Sequence, residues 1–179
     1  MVEEAEDLLD EVGAAQFTLA ALADRLGVRQ PSLYKHVDGL DGLQRAVSVR
    51  AKLELGDVLA RAAVGRARGD AITAMCGAYR RWALDHPGRY AATVRAPAPE
   101  DDADNAASAA VVRVVLDVLA GYGLEDDDAV DAARAIRASL HGFVALESGG
   151  GFGLPTDIGR SFDRLVAGLV AALDTGATA

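Results

Sequence analysis

The sequence predicts an all-α chain, an N-terminal three-helix domain followed by a C-terminal helical bundle, about nine helices in total. Three observations carry this. Apolar residues recur at helical spacing nearly throughout the 179 residues, and no segment alternates as a half-buried strand does. Hydrophobic residues make up 51% but aromatics only 5%, so Ala, Leu and Val carry the core, and Ala and Leu favour helix. The breaks between periodic stretches carry glycine or proline, as at Gly13, Gly65 and Pro87.

Taken in order, the first helix is expected over residues 3–12, with Ala5, Leu8, Leu9 and Val12 on one face and Gly13 ending it. A second spans 19–26, a third 30–37 and a long fourth 41–64. Residues 65–70 form a break. A fifth helix covers 70–85 and stops at His86-Pro87-Gly88. A short helical piece follows over 88–95, and residues 96–104 read as a loop with Pro97, Pro99 and an acidic cluster. Helices over 105–120, 126–147 and 157–174 complete the chain, the last two joined by a glycine-rich link, 148–155. The expected division is residues 1–43 and residues 44–179.

Charge is unevenly distributed. The net charge is −9, which argues against a general nucleic-acid binder. Residues 1–16 hold six acids (Glu3, Glu4, Glu6, Asp7, Asp10, Glu11) and no base. Residues 17–52 hold six bases (Arg25, Arg29, Lys35, Arg45, Arg50, Lys52) against three acids, and are the only positive segment. The single cysteine, Cys76, excludes an internal disulfide and a cysteine-based zinc site. No stretch reaches 18 uninterrupted apolar residues, so no membrane span is expected. The acidic N-terminus lacks the pattern of a signal peptide. A cytoplasmic protein is expected.

The positive segment has a specific local grammar. Thr18 is placed to cap the second helix, with Phe17 and Leu22 in the positions of a hydrophobic staple. Leu19, Leu22, Ala23 and Leu26 share a face. Gly27 sits where a helix needs a left-handed exit, and Val28 is expected to plug the turn into the core. Pro31 falls in the first turn of the third helix, where its missing N–H costs nothing. Leu33 and Val37 return to the core. That spacing turns Pro31, Ser32 and Lys35 outward, puts Tyr34 and His36 on the flanks, and leaves Gln30 near the tip. This is the pattern of a helix-turn-helix whose recognition helix enters the major groove. Gln30 suits a base edge, most naturally adenine. Arg29, Ser32, Tyr34, Lys35 and His36 suit phosphates or flanking bases, and Thr18 with the free amides of its helix suits another phosphate. A helical hairpin packed inside a bundle, with Tyr34 in the core, is the competing reading.

Leu22-Ala23, Leu26-Gly27-Val28 and the run Pro31-Ser32-Leu33-Tyr34-Lys35-His36-Val37 closely resemble the TetR family of regulators. Further along, Ala78-Tyr79-Arg80-Arg81-Trp82-Ala83, His86-Pro87-Gly88-Arg89-Tyr90 and Leu140-His141-Gly142-Phe143 are similar to segments of TetR C-terminal domains. The resemblance implies a transcriptional regulator. It would be a homodimer on a palindromic double-stranded DNA operator, usually a repressor released by a small-molecule effector. Three departures stand out. Many family members carry a basic arm where this chain has six acids. Many open the second helix with polar or basic residues where this chain has Leu19 and Ala20. A lysine often opens the fourth helix where Leu40 stands here, between Asp38 and Asp41. Each removes a potential phosphate contact and about one counterion's worth of salt dependence.

The fifth helix presents Ile72, Met75, Cys76, Tyr79, Trp82 and Ala83 at helical spacing, which first reads as core. By the resemblance it also borders a ligand cavity. Tyr79, Trp82, Tyr90 and His141 combine apolar bulk with a polar tip, and Met75 adds adaptability, so the effector implied is small and largely apolar. Helix 157–174 carries Ile158, Phe162, Leu165 and Leu169 on one stripe, widened by Val166, Val170 and Leu173. Helix 126–147 is broad and rich in small residues. Together they suit a homodimer interface, or the two central helices of a monomer.

No cofactor, metal site or catalytic pair is expected, and the chain reads as no enzyme. The glycine run 149–153 follows a helix and lacks the Lys-Ser/Thr of a phosphate loop. Residues 125–128 read as acids favouring a helix N-terminus rather than a metal site. A competing function is a module that binds a small molecule or protein partner through its body, with weak or lost DNA binding.

Overall fold

The computed structural model describes residues 1–176. Among them every regular element is helical: α1 (Val2–Val12), α2 (Leu19–Leu26), a 3-10 segment (Gln30–Lys35), α3 (Gly39–Ala63), α4 (Arg68–Asp85), α5 (Pro87–Thr93), α6 (Asp102–Ala120), α7 (Asp126–Ser148) and α8 (Ile158–Gly176). Among the described residues no helix is long and apolar enough to cross a membrane. The chain divides into two compact units. The first contains Met1–Glu54 and Asp85–Ala109; the second contains Leu55–Leu84 and the chain from Ala110 onward.

The first unit has one apolar core. Ala5, Leu8 and Leu9 of α1, Phe17, Leu19, Leu22 and Ala23 around α2, Leu33 of the 3-10 segment, and Leu43 and Val47 of α3 pack into it. Phe17 and Leu22 are 2% and 0% exposed, as a staple requires. Gly88 of α5 lies so close to α1 that an added Cβ would sit 2.3 Å from the Leu9 carbonyl oxygen, which only glycine allows. The start of α6 falls three residues before the expected one. Asp101 explains it: its Oδ1 accepts the backbone N–H of Asp104 at 3.1 Å, as an N-cap does. Asn105 Nδ2 donates to the carbonyls of Ala98 and Asp101, both at 2.9 Å, and ties the preceding loop down. Lys52 and Asp104, 4% and 5% exposed, form a buried pair at 2.5 Å.

In the second unit α4 buries one broad face, including Ile72, Met75, Cys76, Tyr79 and Trp82. It begins at Arg68, two residues earlier than expected. Arg68 lies over the Tyr122 ring at 4.6 Å and pairs with Asp174 at 2.9 Å. α7 buries Ala129, Ile136, Leu140 and Val144. Arg80 of α4 grips Glu147 of α7 through Nε at 2.8 Å and Nη2 at 2.5 Å. The same guanidinium lies 4.9 Å above the Phe162 ring. Phe143 joins Phe162 at 5.2 Å and Phe152 at 4.9 Å between ring centroids, so the glycine-rich link is anchored by an aromatic side chain at its centre.

Candidate nucleic-acid interface

The geometry of residues 18–36 follows from three local devices. Thr18 has extended backbone, and its Oγ1 accepts the Ala21 N–H at 3.1 Å. Gly27 takes the left-handed conformation, φ 65° and ψ 28°. Its N–H donates to the Asp24 carbonyl at 3.2 Å and the Val28 N–H to the Ala23 carbonyl at 3.0 Å, which closes a Schellman turn. Pro31 lies in the first turn of the next element.

Two expectations are corrected here. Val28 does not plug the core: it is 43% exposed. Its contribution to the turn is through the backbone, whose N–H donates to the Ala23 carbonyl at 3.0 Å, and not through its side chain. The third helix is 3-10 over Gln30–Lys35, with Ser32 N–H donating to the Arg29 carbonyl at 2.8 Å and His36 N–H to the Leu33 carbonyl at 2.9 Å. In so short an element, opened by a proline that lacks a donor, the tighter turn costs little.

Within residues 30–36 only Leu33 is buried; Gln30, Pro31, Ser32, Tyr34, Lys35 and His36 are all exposed, as are Thr18 and Arg29. Tyr34 is 56% exposed, so it is no core residue and the buried-hairpin reading fails.

The electrostatics could not be read from composition. Five of the six acids of residues 1–16 are engaged by arginines. Arg25 of α2 takes Glu4 at 3.0 Å and Glu11 at 2.7 Å. Arg50 of α3 takes Glu6 at 2.9 Å, and Arg89 of α5 takes Asp7 at 2.7 Å and Asp10 at 2.8 Å. Glu11 is held below the usual carboxylate range by the hydrogen bond from Arg25. Arg45 pairs with Asp101 and Lys52 with Asp104. Of the six bases in residues 17–52, Arg29 and Lys35 alone make no ion pair among the described residues.

The residues expected to line a pocket are distributed over both units. Met75, Tyr79 and Trp82 share the buried face of α4, and His141 is half-buried on α7. Tyr90 is buried on α5, in the first unit. Two open clefts of the second unit have other linings. One, of about 420 Å³, includes Ala132, Ile136 and Leu169. The other, of about 460 Å³, includes Gly77, Arg81, Phe162 and Val166.

Residues 72–169 match the family described as tetracyclin repressor-like, C-terminal domain. Over 151 residues the chain is 45% identical to an HTH-type transcriptional regulator of Mycobacterium tuberculosis, covering 84% of this chain and 69% of that one. It is 30% identical over 175 residues to an HTH-type transcriptional regulator of Bacillus subtilis, covering 97% of this chain and 90% of that one. Among solved structures, apo ActR from Streptomyces coelicolor superposes with a TM-score of 0.75 at 20% identity, covering 99% of this chain and 94% of that one, and shares the fold. So does a TetR variant from Acinetobacter baumannii in complex with minocycline, at a TM-score of 0.74 and 21% identity, covering 97% of this chain and 94% of that one. The chain belongs to the TetR family of DNA-binding, helix-turn-helix transcriptional regulators.

Proposed function

We propose that this regulator represses transcription as a homodimer on a palindromic operator and leaves it when a small, largely apolar effector binds. The observation that carries the DNA-facing assignment is the exposed run Arg29–His36, broken only by Leu33. There Leu33 anchors the element, and every other side chain up to His36 is available to a groove. Gln30 reads a base edge. Ser32, Tyr34, Lys35 and His36 meet phosphates or flanking bases, Pro31 sets the entry, and Arg29 and the Thr18 hydroxyl hold backbone phosphates.

Residues 1–43 serve as the DNA-binding part and residues 44–179 as the effector-binding and dimerisation part. α7 and α8 form the dimer face; their exposed and half-buried residues include Ala132, Ala135, Leu165 and Leu169. Met75, Tyr79, Trp82 and His141, all of the second unit, shape the effector pocket. Trp82 is the only tryptophan, so its fluorescence reports occupancy of that pocket directly.

The test is binding to duplexes from the gene's own upstream region at two salt concentrations. Gln30→Ala is expected to lower affinity for the operator more than for random duplex, by about 1–3 kcal/mol in discrimination. Lys35→Ala should weaken both alike and reduce the salt slope by about 0.9 per head. An unchanged affinity and slope in Lys35→Ala would refute the assigned face. Absence of binding at both salts would favour a module that binds a small molecule or protein partner without engaging DNA.

A further inference from the structure

We propose that α1 is an internal brake on DNA binding: Glu4 and Glu11 occupy Arg25, and so restrict the phosphate-binding charge of residues 17–37 to Arg29 and Lys35. The proposal rests on the reading of residues 29–36 as the DNA-facing surface.

Arg25 stands in the last turn of α2, two residues before Gly27 and four before Arg29. Four residues of chain span at most about 14 Å. That is comparable with the Debye length of about 10 Å at 0.1 M salt. A free guanidinium at this position would therefore add to the field that residues 29–36 present to a polyanion. It is not free. All three of its nitrogens are engaged: Nε with Glu4 at 3.0 Å, Nη1 with Glu11 Oε2 at 2.7 Å and Nη2 with Glu11 Oε1 at 3.0 Å. The fork onto Glu11 uses the planar geometry that makes such pairs directional. Three charged side chains then carry a net charge of −1 beside the recognition segment, where Arg25 by itself would contribute +1.

The arrangement is a brake rather than a lock because it is open to solvent. The side chains of Arg25, Glu4 and Glu11 are 29%, 46% and 59% exposed. Exposed ion pairs of this kind are individually weak and readily exchanged. A mainly structural staple would be expected deeper, as with Lys52–Asp104 in the same unit, whose side chains are 5% and 8% exposed.

The experiment measures affinity of the full chain for a random 25–30 bp duplex by fluorescence anisotropy across a KCl series. It compares the wild type, Glu4→Gln/Glu11→Gln, Arg25→Ala, the triple variant and Lys35→Ala. The double variant is expected to bind more tightly, with a log–log salt slope steeper by about 0.9 per head. The triple variant should lose that steepening, and Arg25→Ala alone should keep the wild-type slope. A double variant with the wild-type slope overturns the brake. So does steepening that survives Arg25→Ala, because lost negative charge rather than a freed arginine would then be its source. Arg25→Ala lowering the slope on its own also overturns it, and this reading stands even if circular dichroism shows the double variant unfolded. Lys35→Ala separates the two levels: a slope indifferent to Lys35 refutes the DNA-facing surface, whereas a slope that responds to Lys35 but not to Glu4 and Glu11 refutes the brake alone.

Discussion

Asp10 caps α5 from a different helix, through Arg89. Its Oδ1 accepts the Arg89 backbone N–H at 2.8 Å, and its Oδ2 lies 2.8 Å from Arg89 Nε and 3.3 Å from His86 Nδ1. Arg89 also reaches Asp7 at 2.7 Å and Glu54 at 3.3 Å, so one guanidinium ties α5 to α1 and to α3. Charge-assisted bonds of this kind contribute about 1.5–3 kcal/mol, and the lost cap adds to that. Asp10→Ala is therefore expected to cost about 2–3 kcal/mol, or roughly 4–12 °C in Tm for a chain of this size. Asp10→Asn keeps an acceptor for the amide and should cost less. Thermal melts of the two variants check this; equal losses would show that the cap contributes nothing.

Gly88 permits the approach on which that contact depends. A Cβ there would lie 2.3 Å from Leu9 O, 2.4 Å from Leu9 C and 2.7 Å from Asp10 N, all backbone atoms that cannot swing aside. Overpacking of this kind costs about 1–3 kcal/mol and sometimes more. Gly88→Ala should fall at or above the upper end, because α5 must leave α1 to relieve the clash. Urea unfolding measures it, and a loss below about 0.5 kcal/mol would mean that α5 sits further from α1.

Arg45 and Asp101 give the first unit an acid-sensitive joint. The hydrogen bonds from Arg45, supported by the Asp104 amide, bring the Asp101 carboxyl down to about 2. A folded value below the unfolded one, near 3.9, means that the contribution is complete above about pH 4 and fades as pH falls through about 2. The wild type should thus lose stability over this window more steeply than Asp101→Asn. The gap between them in urea midpoints should narrow from pH 5 to pH 2. A gap that stays constant would contradict the linkage.

Cys76 is 1% exposed on the inner face of α4, and burial pushes its thiol up to about 12. The thiolate is the reacting species. Native protein at pH 8 should resist iodoacetamide for as long as it stays folded, and label fully in 6 M guanidinium. Rapid labelling under native conditions would show that α4 opens locally.

Much of the fold was legible because its signals are local. Thr18, Gly27 and Pro31 act on neighbours within five residues, and the apolar period of α1 or α4 follows from one turn to the next. Val28 was misplaced because a turn's backbone and side chain have separate partners, and spacing shows only the first. The starts of α4 and α6 were missed for a different reason. Arg68 and Asp101 begin their helices with help from Asp174 and Arg45, residues 106 and 56 positions away.

The acidic N-terminal helix shows where that boundary lies. By itself the sequence determined that residues 1–16 are acidic, that residues 17–52 are basic, and which side chains the turn at Gly27 presents outward. Local spacing and composition suffice for each. Only the tertiary structure decided which of those charges remain available. Glu11 and Arg25 are 14 residues apart, Glu6 and Arg50 are 44 apart, and Asp10 and Arg89 are 79 apart. Pairing across such distances depends on where helices come to lie, and Coulomb attraction at contact far exceeds what remains a few turns away. The sum of charges was a property of the sequence; its cancellation is a property of the fold.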